Sequence, residues 1–146
     1  MPLPNLERLV TAGVLHAEAP AADELAGLLR SGLARLKDAG NATLALESRF
    51  DLAYNAAHAL CLAALRWHGY RPANKRYIVF QVLPDTLGLG PEVWRVLGKA
   101  HELRNRSEYE GDQSVDQRLV TDLLAACVRV AKKVQALPLP ASGSQA

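Results

Sequence analysis

The sequence predicts an all-α fold, a helical bundle of about four main helices with a few additional short ones. Apolar residues make up 49% of the chain and aromatic residues only 5%, a balance that favours packed helices over a β-sandwich. Apolar residues also recur at helical spacing, as in the run Leu25, Leu28, Leu29, Leu33 and Leu36. Glycine and proline separate these apolar runs, as expected at helix ends and starts.

The first half of the chain predicts three helices. A short one over residues 6–12 ends at Gly13, and an Ala- and Pro-rich connector over residues 17–22 follows. The second helix spans Ala22–Ala39 and ends at Gly40. Asn41 is suited to cap a long third helix over residues 42–68, which Gly69 closes before a tight exit at residues 70–72.

The second half predicts one short and two long helices. Residues 77–80 have strand propensity, but a short helix through Leu83 is favoured because no nearby segment offers a strand partner. The fourth main helix spans Pro91–Glu110, with proline in the first turn, and Ser114 caps a last helix over residues 115–137. Residues 138–146 are predicted to be a disordered tail, which leaves a single domain over residues 1–137.

Composition and charge narrow the function classes. The net charge of +2 is too small to imply nucleic-acid binding by itself, although a local cluster could still bind it. Cys61 and Cys127 each lie in an apolar helical pattern, which predicts buried free thiols and a reducing compartment. The sequence contains no signal-peptide pattern and no membrane-length apolar run, so a cytoplasmic protein is expected. No metal-ligand pattern or phosphate loop is present, so neither a metal nor a cofactor is expected.

Residues 103–109 form the densest group of polar side chains in the chain. On the fourth main helix Arg104 lies at the edge of the apolar face, and helical spacing brings His101 and Glu108 beside it. Asn105 and Tyr109 lie further round, on the polar side. One interpretation is structural, with Arg104 paired to Glu108 or to a carboxylate of the third helix. The other is a phosphate or nucleotide site, in which Arg104 binds an anionic oxygen bidentately and Asn105 donates a hydrogen bond.

A stripe of polar residues on the third helix is open to two interpretations as well. Glu47, Asp51, Tyr54 and His58 share one face, which is either solvated or turned toward Arg104. In the second case the carboxylates pair with the arginine or act in proton transfer, and His58 and His101 are candidates to act as acid or base near neutral pH. The second half of this helix is apolar on two sides, so it is either central to a bundle or covered by a partner subunit.

A basic group with interleaved aromatic residues is a further candidate for RNA contact through phosphate pairing and stacking. The alternative is a solvated helix end, where cations complement the helix dipole. The group comprises Arg66, His68, Arg71, Lys75 and Arg76, with Arg95, Lys99 and Arg106 later in the chain.

Taken together, these features resemble the HEPN superfamily of small helical domains. The resemblance rests on residues 46–72 (LESRFDLAYNAAHALCLAALRWHGYRP) and residues 99–111 (KAHELRNRSEYEG). In that family an arginine, a polar residue and a following histidine line a cleft between two subunits and support metal-independent RNA cleavage. Arg104 matches the arginine and Asn105 the polar residue, whereas Tyr109 occupies the position of the nearest-spaced histidine, and no histidine follows Arg104 in this chain.

The resemblance implies a homodimer that binds nucleotide or RNA, possible membership of a toxin–antitoxin or defence system, and a nucleotidyltransferase as a partner. The replacement of the histidine makes catalysis doubtful. The alternatives are an active metal-independent ribonuclease that uses Arg104 with Tyr109 or His101, and a purely structural dimerisation domain. The binding residues expected on this basis are Arg104, Asn105, Glu108, Glu47, Asp51 and His58.

Overall fold

The computed structural model describes residues 3–110 and 115–138, apart from the side chains of residues 107–110. Within these ranges the chain forms seven helices and one two-stranded sheet, which confirms the predicted all-α class. The elements are α1 Pro4–Thr11, β1 Leu15–Ala17, α2 Ala22–Ala39, α3 Leu46–Trp67, β2 Tyr70–Pro72, α4 Ile78–Gln81, α5 Leu83–Thr86, α6 Pro91–Glu110 and α7 Gln117–Gln135.

Helix α3 lies at the centre of the bundle and packs against α2, α7, α6 and the short helices α4 and α5. Its predicted apolar face is buried, with Phe50, Ala57 and Leu60 fully inaccessible to solvent. The two apolar sides of this helix are therefore covered by other helices of the same chain. Helix α2 approaches closely because position 32 is glycine: a Cβ there would lie 2.7 Å from Leu60 Cγ.

The two strands were not predicted. Strand β1 pairs antiparallel with β2, with Leu15 opposite Pro72 and Ala17 opposite Tyr70. The expected tight exit at residues 70–72 is therefore extended and paired, and the predicted connector begins inside a strand. Gly13 and Gly69, which precede the strands, have φ angles of +81° and +93°. Glycine adopts this left-handed conformation without steric cost.

Arg66 ties this sheet to the bundle, which corrects its placement in the basic group available to RNA. Its side chain is only 1% exposed. Its Nε lies 3.0 Å from Glu24 Oε1, and its two terminal nitrogens donate to the backbone oxygens of Glu18 and Ala19, each at 2.9 Å. A buried arginine requires such partners, so Arg66 is structural.

Three predicted helix starts are wrong, the first because α1 begins at Pro4, two residues earlier than predicted. Helix α3 begins at Leu46, because the Asn41 side chain accepts a hydrogen bond from Thr43 N at 3.0 Å and forms a local turn instead of a cap. The cap of α7 is Asp116, whose Oδ1 accepts from Leu119 N at 2.8 Å. The predicted cap Ser114 lies outside the described residues, as do residues 139–146 of the predicted tail.

Both cysteines are free and buried, as predicted. Cys127 Sγ donates to the backbone oxygen of Ala53 at 3.3 Å. Burial raises the pKa of Cys127 to about 12 and the pKa of Cys61 well above its ordinary value. Neither thiol is therefore a nucleophile at neutral pH. None of the described helices combines the length and apolarity that a membrane crossing requires.

Candidate functional site

Polar and aromatic side chains from α3, from the residues just before α4, and from α6 meet on one side of the bundle. We call this group the α3–α6 cluster; it consists of Tyr54, His58, Arg76, Tyr77, His101, Arg104 and Asn105. Helical spacing places 101, 104 and 105 on neighbouring parts of α6 and 54 and 58 one turn apart on α3. The side of α3 that carries Tyr54 and His58 does face the Arg104 region.

His101 is held through both of its ring nitrogens. Its Nδ1 lies 2.9 Å from the Tyr54 hydroxyl, and its Nε2 lies 3.2 Å from Asn105 Nδ2. An amide nitrogen only donates hydrogen bonds, so Nε2 accepts. The arrangement therefore corresponds to the neutral histidine with its proton on Nδ1, which donates to the Tyr54 oxygen. The Nε2 lone pair accepts the hydrogen bond from the exposed Asn105 side chain.

Tyr77 covers one face of His101. The two rings are stacked, with centroids 4.4 Å apart and planes inclined by 17°. Gly98 on α6 makes room for this arrangement, since a Cβ at that position would lie 2.7 Å from the Tyr77 hydroxyl oxygen. A glycine inside a helix costs stability. At position 98 the physical reason for a glycine is the space that the Tyr77 side chain requires.

Arg104 is half-buried, and its guanidinium lies over the Tyr54 ring with Cζ 4.9 Å from the ring centroid. This is a cation–π contact. Because Tyr54 is only 4% exposed, its ring is a rigid support for the guanidinium. Tyr54 was predicted as part of a polar stripe, but its burial makes it a link between the core and the site.

His58 lies half-buried between the core and the cations of the cluster. Its ring packs edge-on against Phe80, with centroids 6.1 Å apart, and Arg76 Nε donates a long hydrogen bond of 3.4 Å to its Nε2. The pKa of His58 is lowered to about 4, first by burial and then by the positive charges of Arg76 and Arg104. His58 is therefore neutral at pH 7, in a surrounding that favours an anion.

Of the other predicted site residues, two are exposed and two have side chains outside the described residues. Glu47 and Asp51 are exposed on the N-terminal part of α3, and neither forms an ion pair with another described residue. Glu108 and Tyr109 belong to the last turns of α6, but their side chains lie outside the described residues. The structure thus brings together Arg104, His101, Asn105 and His58.

The part that Tyr77 plays in the site was not predicted from the sequence. The one available signal was Gly98, the single glycine within Pro91–Glu110, because a glycine inside a helical pattern often marks close packing. Across residues 3–110 and 115–138, no three His, Cys, Asp or Glu side chains are grouped in a way that could hold a metal ion. Comparisons with models of protein families, with curated proteins and with solved structures found no match to this chain.

Proposed function

We propose that this chain binds RNA or a nucleotide through a phosphate group held at the α3–α6 cluster. The observation that carries the proposal is the position of Arg104, which the buried Tyr54 ring holds beside His101 and Asn105. Arginine is well suited to bind phosphate bidentately. A guanidinium fixed on a rigid ring also loses little side-chain freedom when the ligand arrives.

Charge and accessibility support the same ligand class. Arg76 and Arg104 both act on His58 strongly enough to contribute to its lowered pKa, and a phosphate between them would relieve that repulsion. Arg76 and Asn105 are exposed, so an incoming ligand can reach both. Tyr77 adds an aromatic ring at the edge of the cluster, and aromatic rings are common supports for unpaired bases.

The resemblance to the HEPN superfamily extends this proposal to the assembly and to a protein partner. It adds a homodimer with the cluster facing a cleft between subunits, and a nucleotidyltransferase partner in a toxin–antitoxin or defence system. Light scattering on the purified chain tests the dimer, and co-purification with the product of a neighbouring nucleotidyltransferase gene tests the partner. A purely structural dimerisation domain instead predicts that Arg104→Gln dissociates or unfolds the protein without any ligand involved.

Metal-independent RNA cleavage is the second candidate, and one observation favours it. Asn105 holds His101 through a hydrogen bond to Nε2, and an imidazole fixed beside Arg104 is a suitable general base for a ribose hydroxyl that replaces this contact. Cleavage of a labelled RNA in the presence of EDTA, abolished by His101→Gln, would establish this activity. Cleavage that survives both His101→Gln and Arg104→Gln would exclude the cluster as its source.

The binding proposal is tested by thermal unfolding with a panel of nucleotides and short RNAs. A ligand at a hundred times its Kd stabilises the folded state by about 2.7 kcal/mol, which raises the Tm measurably. We expect at least one member of the panel to raise the Tm of the wild type and of Arg30→Gln, a matched change at an exposed arginine of α2. We expect no rise for Arg104→Gln. Equal rises in both variants would overturn the proposal.

A further inference from the structure

A groove runs along α6 next to the α3–α6 cluster and shares Tyr77 with it. We call it the Tyr77–Trp94 groove. It has a volume of about 400 Å³ and is lined by Tyr77, Trp94, Arg95, Gly98, Lys99 and Glu102. This volume is in the range of small-molecule sites in proteins.

The lining combines two aromatic rings with charged groups of both signs. Trp94 and Tyr77 are half-buried, whereas Lys99 and Glu102 are exposed. The Arg95 guanidinium lies over the Trp94 ring, with Cζ 5.6 Å from the ring centroid, so a cation is already placed beside this ring. Aromatic faces bind bases by stacking, cations bind the flanking phosphates, and a carboxylate accepts hydrogen bonds from the amino groups of a base.

The groove is continuous with the phosphate site. Tyr77 lines the groove and also stacks on His101. Positions 94, 98, 101 and 105 follow one another at intervals of three or four residues, so they form one stripe along α6. Eleven residues of helix span roughly 16 Å, and stacked nucleotides follow each other at roughly 3.4 Å. An oligonucleotide of a few residues can therefore contact both places.

We propose that the Tyr77–Trp94 groove is a nucleobase subsite, which takes a base of the ligand whose phosphate binds at Arg104. The base lies against the Trp94 and Tyr77 rings, and Lys99 pairs with the adjoining phosphate. The inference rests on the proposed function and deepens it: the ligand is an oligonucleotide with bases, and a bare phosphate or sugar phosphate uses only half of the site.

Tryptophan fluorescence tests the subsite without altering it. The chain has two tryptophans. Trp67 is the last residue of α3, and its Nε1 donates to the backbone oxygen of Pro138 at 2.6 Å. In Trp67→Phe the emission comes from Trp94 alone. We expect a trinucleotide of adenylates to quench this emission, and its abasic counterpart with the same phosphates to bind without quenching it.

Affinities measured by calorimetry separate the two proposals. We expect Trp94→Ala to weaken binding of the triadenylate about tenfold and to leave binding of the abasic trinucleotide unchanged, whereas Arg104→Gln weakens both. If the wild type binds neither probe, the proposed function fails. If it binds both equally and Trp94 emission does not change, the phosphate site stands and the subsite is refuted. The fluorescence result decides the matter even if Trp94→Ala does not fold.

Discussion

The guanidinium of Arg104 lies over the ring of Tyr54, with Cζ 4.9 Å from the ring centroid. The same tyrosine places its hydroxyl 2.9 Å from His101 Nδ1. One buried side chain of α3 thus positions two side chains of α6, the cation through its ring and the imidazole through its oxygen. This arrangement makes Tyr54 the positioning residue of the site, and its two contacts can be tested separately.

The hydroxyl contact is tested by Tyr54→Phe, which keeps the ring under Arg104 and removes the oxygen beside His101. Loss of one hydrogen bond in a partly buried place costs about 1 kcal/mol. We also expect the ¹⁵N chemical shifts of the His101 ring nitrogens to change, because the Nδ1 proton no longer donates to the Tyr54 oxygen. Tyr77→Phe, which retains the stacked ring, is the control. An unaltered His101 spectrum in Tyr54→Phe would contradict the assigned tautomer.

The space at Gly98 is tested by comparing Gly98→Ala with Gly27→Ala. Among the described residues, a Cβ at position 27 in the interior of α2 has only Arg30 Nη2 within 4 Å, at 3.8 Å. Gly27→Ala should therefore stabilise the protein by about 0.5–1 kcal/mol through helix propensity. At position 98 the new methyl group displaces Tyr77, and loss of the aromatic stack costs about 0.5–1.5 kcal/mol. Thermal unfolding that shows equal stabilisation by both changes would exclude this role of Gly98.

The structural role of Arg66 predicts a large loss of stability. Arg66→Met removes the buried donor of Glu24, whose own side chain is 31% exposed, and of the backbone oxygens of Glu18 and Ala19. We expect a loss of about 3 kcal/mol, at the lower end of the roughly 3–5 kcal/mol that breaking a fully buried pair costs. The matched change Arg71→Met removes a side chain that is 43% exposed and contacts Glu18 and Glu24 at 3.5 and 3.7 Å. It should cost at most about 1 kcal/mol. Urea unfolding measures both, and similar losses would show that Arg66 is not the anchor of the sheet.

His58 predicts a specific dependence of stability on pH. Burial, Arg76 and Arg104 lower its pKa from 6.5 to about 4 in the folded state. Between these values the unfolded chain binds a proton that the folded chain does not, so the free energy of unfolding falls as the pH drops from 6.5 to 4. Over this range the loss of stability attributable to His58 is about 2–3 kcal/mol at most. Above pH 6.5 His58 causes no such loss.

The matched variant for this prediction is His58→Gln, which keeps a polar side chain at the position and cannot titrate in this range. We expect its stability to fall less steeply than that of the wild type between pH 6.5 and 4, as measured by urea unfolding at a series of pH values. Parallel curves for the two proteins would mean that His58 does not contribute.

The helix boundaries that the sequence predicted correctly are those with local markers. Helix α2 matches its predicted range Ala22–Ala39, and α6 matches Pro91–Glu110, because periodic apolar residues fill each range and Gly40 or Pro91 marks one end. The two strands were missed since three residues are too few to establish an alternating pattern. Arg66 was misplaced because its burial depends on Glu24, which lies 42 positions earlier in the chain.

The candidate site was predictable to a similar extent. The periodicity of α6 placed His101 beside Arg104 but put Asn105 further round on the polar side, where the structure shows it in contact with His101. The periodicity of α3 aligned Tyr54 with His58. These two helix faces meet through tertiary packing, and the apolar pattern of one helix does not show which other helix it packs against. Gly98 signalled close packing on α6, but the place of Tyr77 on His101 depends on the packing of residues 77–80 against α6.

The most direct test of the central proposal, that a phosphate group binds inside the α3–α6 cluster, is an NMR titration of the His58 ring with and without the adenylate trinucleotide. Negative charge placed beside Arg76 and Arg104 offsets the repulsion that helps to lower the pKa of His58. We therefore predict that the trinucleotide raises this pKa from about 4 toward its ordinary value in the wild type, and has no such effect in Arg104→Gln. A His58 pKa that stays the same while the trinucleotide is bound would place the ligand elsewhere and contradict the proposal.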